Sequence, residues 1–317
     1  DRLMMSGDPA MQNWLASNAK VLLENALKIQ HEVAQLLKKK RHAAGSLTLE
    51  SSEGQVKVEG NNEIVIQSST HNFAHQLIEE FMIASNMCVA NFFKKVRIPN
   101  LRRVVRIPKY WNRIVEVAQT YGEKLPSEPD SKALDAFLIK RKAADPDAFP
   151  DISLTIIKLL GKGEYVVENG DARETGHFAL ALSDYTHSTA PNRRYPDLIS
   201  QRQYKAYLAK EKSPYGLEEL RQLAAHCSAQ EDAAVKVERQ VSKSAAAILL
   251  SSEIGKFFDG IITGINEKGT WVRLFKPVVE GRIMRGIPNH LQIGDRVTVQ
   301  LESVNIQKGF IDFILKN

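Results

Sequence analysis

From Trp14 to about Arg41, Leu15, Ala19, Leu22, Leu23, Ala26, Ile29, Val33, Leu36 and Leu37 recur at helical spacing, which predicts an amphipathic helix. It closes on Lys38, Lys39, Lys40 and Arg41. Cations oppose the negative end of a helix dipole, so this run reads as a helix terminus as readily as an RNA contact. The period then drops to two at Leu47 and Leu49, Val56 and Val58, and Ile64 and Ile66, with Gly60, Asn61 and Asn62 as a hairpin turn. A second helix is predicted from about Asn72 to Phe92, with Phe73, Leu77, Phe81, Ala84 and Cys88 along one face. Short helices around Leu134 to Lys142 and Ser153 to Leu160 follow among Pro126, Pro129, Pro146 and Pro150. A strand is predicted at Gly176 to Leu182, and long helices from about Leu217 to Ser252.

Beyond Lys256 the pattern changes to five short apolar runs: Phe257 to Ile265, Trp271 to Leu274, Val278 to Met284, Arg296 to Val304 and Phe310 to Leu315. Five strands in so short a stretch predict a small closed barrel of the OB kind. The fold class expected is therefore α+β, with a mixed module over residues 1–253 and a five-stranded barrel over 254–317.

The 317 residues are 43% hydrophobic and 25% charged, an ordinary globular composition that excludes a fibrous or disordered chain. No apolar run approaches the roughly 18 residues of a membrane span, so no membrane partner is expected. Cys88 and Cys227 stand far apart in no ligand-like spacing, which argues against a disulfide framework or zinc site and for a reducing, cytoplasmic setting. The chain opens on Asp1, Arg2 and Leu3, which reads as the C-terminal part of a longer polypeptide.

The net charge is only +6, but it is concentrated. Between residues 94 and 113 stand Lys94, Lys95, Arg97, Arg102, Arg103, Arg106, Lys109 and Arg113 with no acid. Such a run reads either as a solvated face or, given the interleaved Pro99, Pro108, Tyr110 and Trp111, as an extended phosphate-binding segment with stacking groups. The densest chemistry follows Gly176-His177-Phe178: Tyr185, Thr186, His187, Ser188, Thr189, Ala190, Pro191, Asn192, Arg193, Arg194, Tyr195, Pro196, Asp197 and Leu198. Arginine forks grip phosphate oxygens bidentately and hydroxyls add neutral donors, so the stretch suits a polyanion. A surface loop with salt-bridged arginines and core Tyr185 and His187 is the plainer alternative.

This stretch resembles the ribonuclease II and ribonuclease R family, whose catalytic module carries a Gly-His-Phe strand and then Tyr-Thr-His-x-Thr-x-Pro-x-Arg-Arg-Tyr-Pro-Asp-Leu. Leu77 to Asn86 is similar to the family's Glu-Glu-Phe-Met helix, Leu160 to Tyr165 to the element before the Gly-His-Phe strand, and Ala225 to Ser228 and Val237 to Arg239 to its later helical signatures. The terminal barrel resembles the ribosomal-protein-S-one type of OB domain. Ala179, Ala190 and Asn192 depart from the family's usual residues without removing a charge, and are expected to tune the pocket.

The resemblance implies a processive, magnesium-assisted 3'-to-5' exoribonuclease, typically monomeric, that hydrolyses single-stranded RNA to nucleoside 5'-monophosphates. It implies Arg193 as the phosphate clamp with Arg194 a second, Glu79 or Glu80 and Glu238 as carboxylates at the RNA 3' end, and Tyr185, His187 and Thr189 along the RNA track. Arg102, Arg103 and Arg106 are candidate phosphate contacts from the basic run. Phe258 and Trp271 are candidate stacking residues of the barrel, with a core role for Trp271 and Phe275 as the alternative. The family's magnesium-binding aspartate cluster has no counterpart in this chain, so the ligands are expected in a preceding N-terminal part, and this chain alone is expected to be inactive. A non-catalytic RNA-binding protein on a degenerate nuclease module is the rival reading. His71 and His75 share a helix face but lack a third ligand in the nearby sequence.

Overall fold

The computed structural model describes residues 19–50, 54–59, 63–68, 72–146, 148–167, 176–267, 269–288 and 290–316. Residues 14–18 of the first helix, the hairpin turn at 60–62 and His71 lie outside the described residues. In chain order the elements are α1 (Ala19–Ala43), β1 (Gly54–Glu59), β2 (Glu63–Ser68), α2 (Phe73–Val96), β3 (Leu101–Val104), α3 (Trp111–Thr120), α4 (Ser131–Ala144), α5 (Phe149–Leu160), β4 (Glu164–Val167), α6 (Tyr195–Leu208), α7 (Leu217–Leu250) and strands β5 (Phe257–Asn266), β6 (Gly269–Leu274), β7 (Glu280–Arg285), β8 (Arg296–Asn305) and β9 (Phe310–Leu315). Two compact units emerge: residues 1–48, 71–137 and 160–227 form the first, and 49–70, 138–159 and 228–317 the second.

In the first unit β3 pairs antiparallel with β4, Leu101 opposite Val167. Behind this ribbon Leu101, Tyr165, Ile199, Leu220, Ala224 and Cys227 form one buried cluster, joining it to α6 and the start of α7. Helix α2 turns the opposite way from its predicted face. Its buried residues are Glu80, Ile83, Asn86, Ala90 and Phe93, while Phe73, Phe81 and Cys88 are exposed. The reason is polar: Glu80 is ion-paired with Arg41 of α1, and Asn86 bonds Tyr185 and Ser188. Hydrogen-bonded partners offset the cost of burying an amide and a carboxylate, so these groups, and not the largest apolar side chains, choose the inward face.

The strand predicted at Gly176 to Leu182 is a tight turn instead. Phe178–Leu180 form a single 3-10 turn, capped by the His177 side chain, which accepts from the Leu180 N–H, and Ala181 adopts a left-handed φ of 52°. His177 then bonds back to the Leu182 carbonyl at 2.7 Å. A ring nitrogen that caps its own turn outcompetes an extended ladder, which hydropathy over seven residues does not register. Nor is the basic run extended: Lys94 and Lys95 end α2, Arg97 caps it in the left-handed region, Arg102 and Arg103 lie in β3, and Arg113 in α3.

The second unit contains the expected barrel. Its strands close in the order β5-β6-β7-β9-β8, with β7 and β9 parallel and the other neighbours antiparallel. Closure leaves no open sheet edge. Ile262, Val272, Leu274, Ile283, Val299, Leu301, Ile311 and Phe313 fill the interior, and Ala246, Ala247 and Leu250 of α7 cover one end. The helices expected over 217–252 are one continuous α7 followed by a 3-10 turn at Ser251–Glu253. The hairpin β1–β2 has the register implied by its alternation, Val56 opposite Ile66 and Val58 opposite Ile64.

Gly281 marks the closest approach in the barrel: a Cβ there would lie 2.3 Å from the Phe313 ring and 2.6 Å from the Ile311 carbonyl. Gly281→Ala is therefore expected to lower stability by about 1–3 kcal/mol through overpacking. Urea unfolding of the chain measures this, and an unshifted midpoint would show that strand β9 yields freely.

Candidate functional site

The site is built on the side chain of Asn86. Its Nδ2 donates to the Tyr185 hydroxyl at 3.1 Å, and its Oδ1 accepts from the Ser188 N–H at 2.9 Å and the Ser188 hydroxyl at 3.0 Å. The stretch between them is sewn to β3: the Arg103 N–H donates to the Tyr185 carbonyl at 2.9 Å, and the Thr186 hydroxyl donates to the Leu101 carbonyl. From α6, Gln201 donates to the Ser188 carbonyl at 2.8 Å.

This anchoring assembles a ring cluster. Tyr185 meets His187 and His177 edge-on at centroid distances of 5.6 and 5.5 Å. Tyr165 bonds His187 Nδ1 through its hydroxyl at 2.8 Å, and the Arg103 guanidinium lies 4.8 Å from the Tyr165 ring centroid. Burial, aided by Arg194 and Arg103, depresses His187 to about 3. Burial and the nearby Arg103 bring His177 to about 4. Both imidazoles are therefore neutral at physiological pH.

The two arginines of the motif have separate situations. Arg194 Nη2 donates to the buried Asp197 Oδ1 at 2.8 Å and reaches Thr189 Oγ1 at 3.4 Å. The same Asp197 oxygen accepts from the Ala190 N–H at 2.8 Å, and the Arg193 and Arg194 N–H groups donate to the Ala190 carbonyl. Asp197 thus closes the turn at residues 191–193, and Pro196 fits the first turn of α6, where its missing donor costs nothing. Arg193, at the tip, is exposed, and its guanidinium has no hydrogen-bond or ion-pair partner among the described residues.

The remaining candidates fall in several places. Glu80 is 3% exposed and held by Arg41, whereas Glu79 on the same helix is exposed. Glu238 is exposed on α7 in the second unit. Arg102 is buried, 3.5 Å from Asp184, which also bonds Lys94 at 2.8 Å. Burial pushes the Asp184 carboxyl up, but Lys94 and Arg102 outweigh it and hold it below the usual range. Arg106 is ion-paired with Glu164. Three of the eight cations of the basic run thereby meet acids far away in sequence. In the barrel, Phe258 packs against the core and Trp271 is half-buried, while Phe257, Phe275 and Phe310 are exposed, Phe257 with Lys316 Nζ 5.1 Å from its centroid.

Sequence reasoning did not single out Asn86, Asp197, Tyr165 or Phe257 as working parts of the site. Only the helix-opening position of Asp197 carried a signal. Among the described residues no group of three or more His, Cys, Asp or Glu is placed to hold a metal ion. The residues present do not fit a magnesium centre.

The RNB domain family model matches residues 8–210, and the RNase II-type exonuclease C-terminal S1 domain matches residues 257–315. Ribonuclease R of Escherichia coli (strain K12) is 30% identical over 347 residues, covering 98% of this chain and 41% of that protein. The chain thus spans about two fifths of this relative's length. Mycoplasma genitalium RNase R in complex with ribose methylated single-stranded RNA shares the fold at a TM-score of 0.81 and 22% identity, over 92% of this chain and 49% of that one. Yeast Ssd1, a pseudonuclease, does so at 0.62 and 20%, over 81% and 33%.

Two measurements probe the site's construction. Asn86→Leu leaves the Tyr185 hydroxyl and Ser188 N–H without their partner and is expected to cost about 1–3 kcal/mol in chemical denaturation; a neutral result would move the anchor elsewhere. The depressed histidines set a pH dependence. The unfolded chain binds protons at these positions below pH 6.5, where the fold does not. Their stability contribution is full above that pH and is lost as pH falls from there towards 4 and 3. The melting temperature is expected to drop between pH 7 and 5, and to drop less in His187→Gln; an identical slope would exclude His187 as a source.

Proposed function

The chain belongs to the RNB family, and on that premise we propose that the intact protein is an exoribonuclease that degrades single-stranded RNA from its 3' end to nucleoside 5'-monophosphates. The observation that carries this reading is the freed guanidinium of Arg193, held at the tip of a turn that Asp197 and Arg194 keep closed. It stands beside the N-terminus of α6, whose dipole adds positive potential for an anion.

In this reading Arg193 donates a fork of N–H groups to the non-bridging oxygens of a phosphodiester and stabilises the charge that grows there during hydrolysis. Arg194 acts as a positioning residue, because its guanidinium is committed to Asp197 and Thr189. The exposed Glu79 suits a contact to a ribose hydroxyl, whereas buried Glu80 orients α1 against α2 through Arg41; Glu238 is proposed as a carboxylate of the second unit that contacts RNA. Tyr185, His187 and Thr189 line the track, with Arg103 on its floor. The barrel adds capture of longer RNA, with exposed Phe257 available for stacking. Magnesium dependence is proposed for the intact protein with ligands beyond the described residues, and no step is assigned to it. Two thiols, Cys88 exposed and Cys227 buried, suit a reducing, cytoplasmic setting, and a monomer is proposed.

The rival reading is an RNA-binding protein without catalysis. Both readings share salt-sensitive binding, with log affinity falling by about 0.7 per phosphate neutralised for each decade of salt. They part on turnover. With 5'-labelled RNA and magnesium, the intact protein is expected to release mononucleotides. Arg193→Ala is expected to cut that rate about 10²–10³-fold, as does loss of a preorganised anion donor elsewhere, with a smaller loss in binding. Unchanged turnover would remove Arg193 from the site, and binding without any release would establish the rival. The 317-residue chain by itself is expected to bind RNA and release nothing.

A further inference from the structure

Where the first turn of α5 meets the end of β6 and the start of β8, the second unit holds a cleft of about 430 Å³. Its lining combines apolar and cationic groups. Pro150, Val278 and the ring of Phe275 supply apolar lining, and Arg273, Lys276 and Arg296 supply cations. Asp151 is the one acid that lines it. Arg273 is buried and engaged with Asp151 at 3.2 Å. Arg296 lies 5.6 Å from the Phe275 centroid, and Lys276 is exposed with no ion-pair partner among the described residues.

We propose that this cleft binds one nucleotide, its base against Phe275 and its phosphate between Lys276 and Arg296. Three cations against one carboxylate leave a net positive lining, and Arg273 is already committed to Asp151. Arg296 and Lys276 are therefore the cations left for a ligand. Burial raises the Asp151 carboxyl even though Arg273 and Arg296 pull it down, and its ion pair with Arg273 offsets its charge towards an incoming anion. A bare phosphate would leave the apolar lining unused. A base attached to the phosphate covers it, and the cleft falls within the ~300–1,000 Å³ range of small-ligand sites. Phe275, 37% exposed, offers stacking area for any base. The same chemistry is presented by a free nucleoside monophosphate and by one unit of an RNA strand. The site lies outside the Arg193 turn and its existence does not depend on hydrolysis there.

The test uses the 317-residue chain carrying Arg193→Ala, which separates this cleft from the turn. AMP, inorganic phosphate and a short oligoadenylate without terminal phosphates are titrated, with amide shifts of Phe275, Lys276 and Val278 as the readout. AMP is expected to bind more tightly than phosphate, and Lys276→Gln or Arg296→Gln to weaken AMP about tenfold while the melting temperature holds. Phe275→Ala is expected to bring AMP down to the level of phosphate. Loss of oligoadenylate affinity in the same variants identifies the ligand as a unit of RNA, and loss for AMP alone identifies a free nucleotide. Equal affinities for AMP and phosphate, or AMP binding untouched by both charge substitutions, would overturn the proposal. Arg296→Lys, which keeps the charge and loses the planar stack, guards against a folding defect in the glutamine variant.

Discussion

A single buried carboxamide orders the first unit. Asn86 is 1% exposed in the middle of α2, a position where asparagine is a poor helix former and an unsatisfied amide is costly. It is tolerated because both of its ends are used: the nitrogen holds the Tyr185 hydroxyl and the oxygen holds the backbone and side chain of Ser188. Once residues 185 and 188 are fixed, the intervening chain has no choice but to run along β3. Tyr185 and His187 then fall into edge contact, and the chain leaves Ser188 towards α6. The orientation of α2 follows from the same bond, reinforced a turn and a half earlier by Glu80 and Arg41.

The second constraint is a division of labour between adjacent arginines. A buried carboxylate needs a paired cation, and Arg194 supplies it to Asp197. The carboxylate in turn holds the Ala190 N–H, so the turn cannot open without stranding it. The Arg193 side chain takes no part in this network: Asp197 Oδ1 is taken by Arg194 and the Ala190 N–H. Rigidity at 194 and availability at 193 are two results of one ion pair.

How much of this was legible in the sequence depends on whether a residue's own stretch or a distant partner sets its place. The barrel was readable because each of its five short apolar runs carries its own strand signal, whatever the distance to its partner, and β1–β2 because the register follows from Val56, Val58, Ile64 and Ile66. The existence of α1, α2 and α7 followed from periodicity over many turns. The facing of α2 did not, because Glu80 and Asn86 meet partners 39 and about a hundred residues away. The ion pairs of the basic run were hidden for the same reason: Asp184 stands 90 residues after Lys94, and Glu164 58 after Arg106. The motif identified both arginines by resemblance, but which one is free rests on Asp197, whose role shows only once the turn is folded. Phe258 and Phe257 exchange roles because a one-residue change of phase in a strand moves a ring from core to surface.

The charge of the site comes from groups that do not titrate near neutrality. His177 and His187 sit close to Arg103, and His187 also to Arg194, where a protonated imidazole would face like charge in a poorly solvated place. They are neutral, and their cost is paid in acid stability. In exchange, the cationic character that the proposed reading offers to an RNA phosphate rests on guanidinium groups that keep their proton across the physiological range. Tyr165 and Tyr185 contribute rings and hydroxyls but no charge. The grip on a phosphate should therefore vary with salt and hardly at all with pH until the fold itself gives way, a separation that a histidine-based clamp could not achieve.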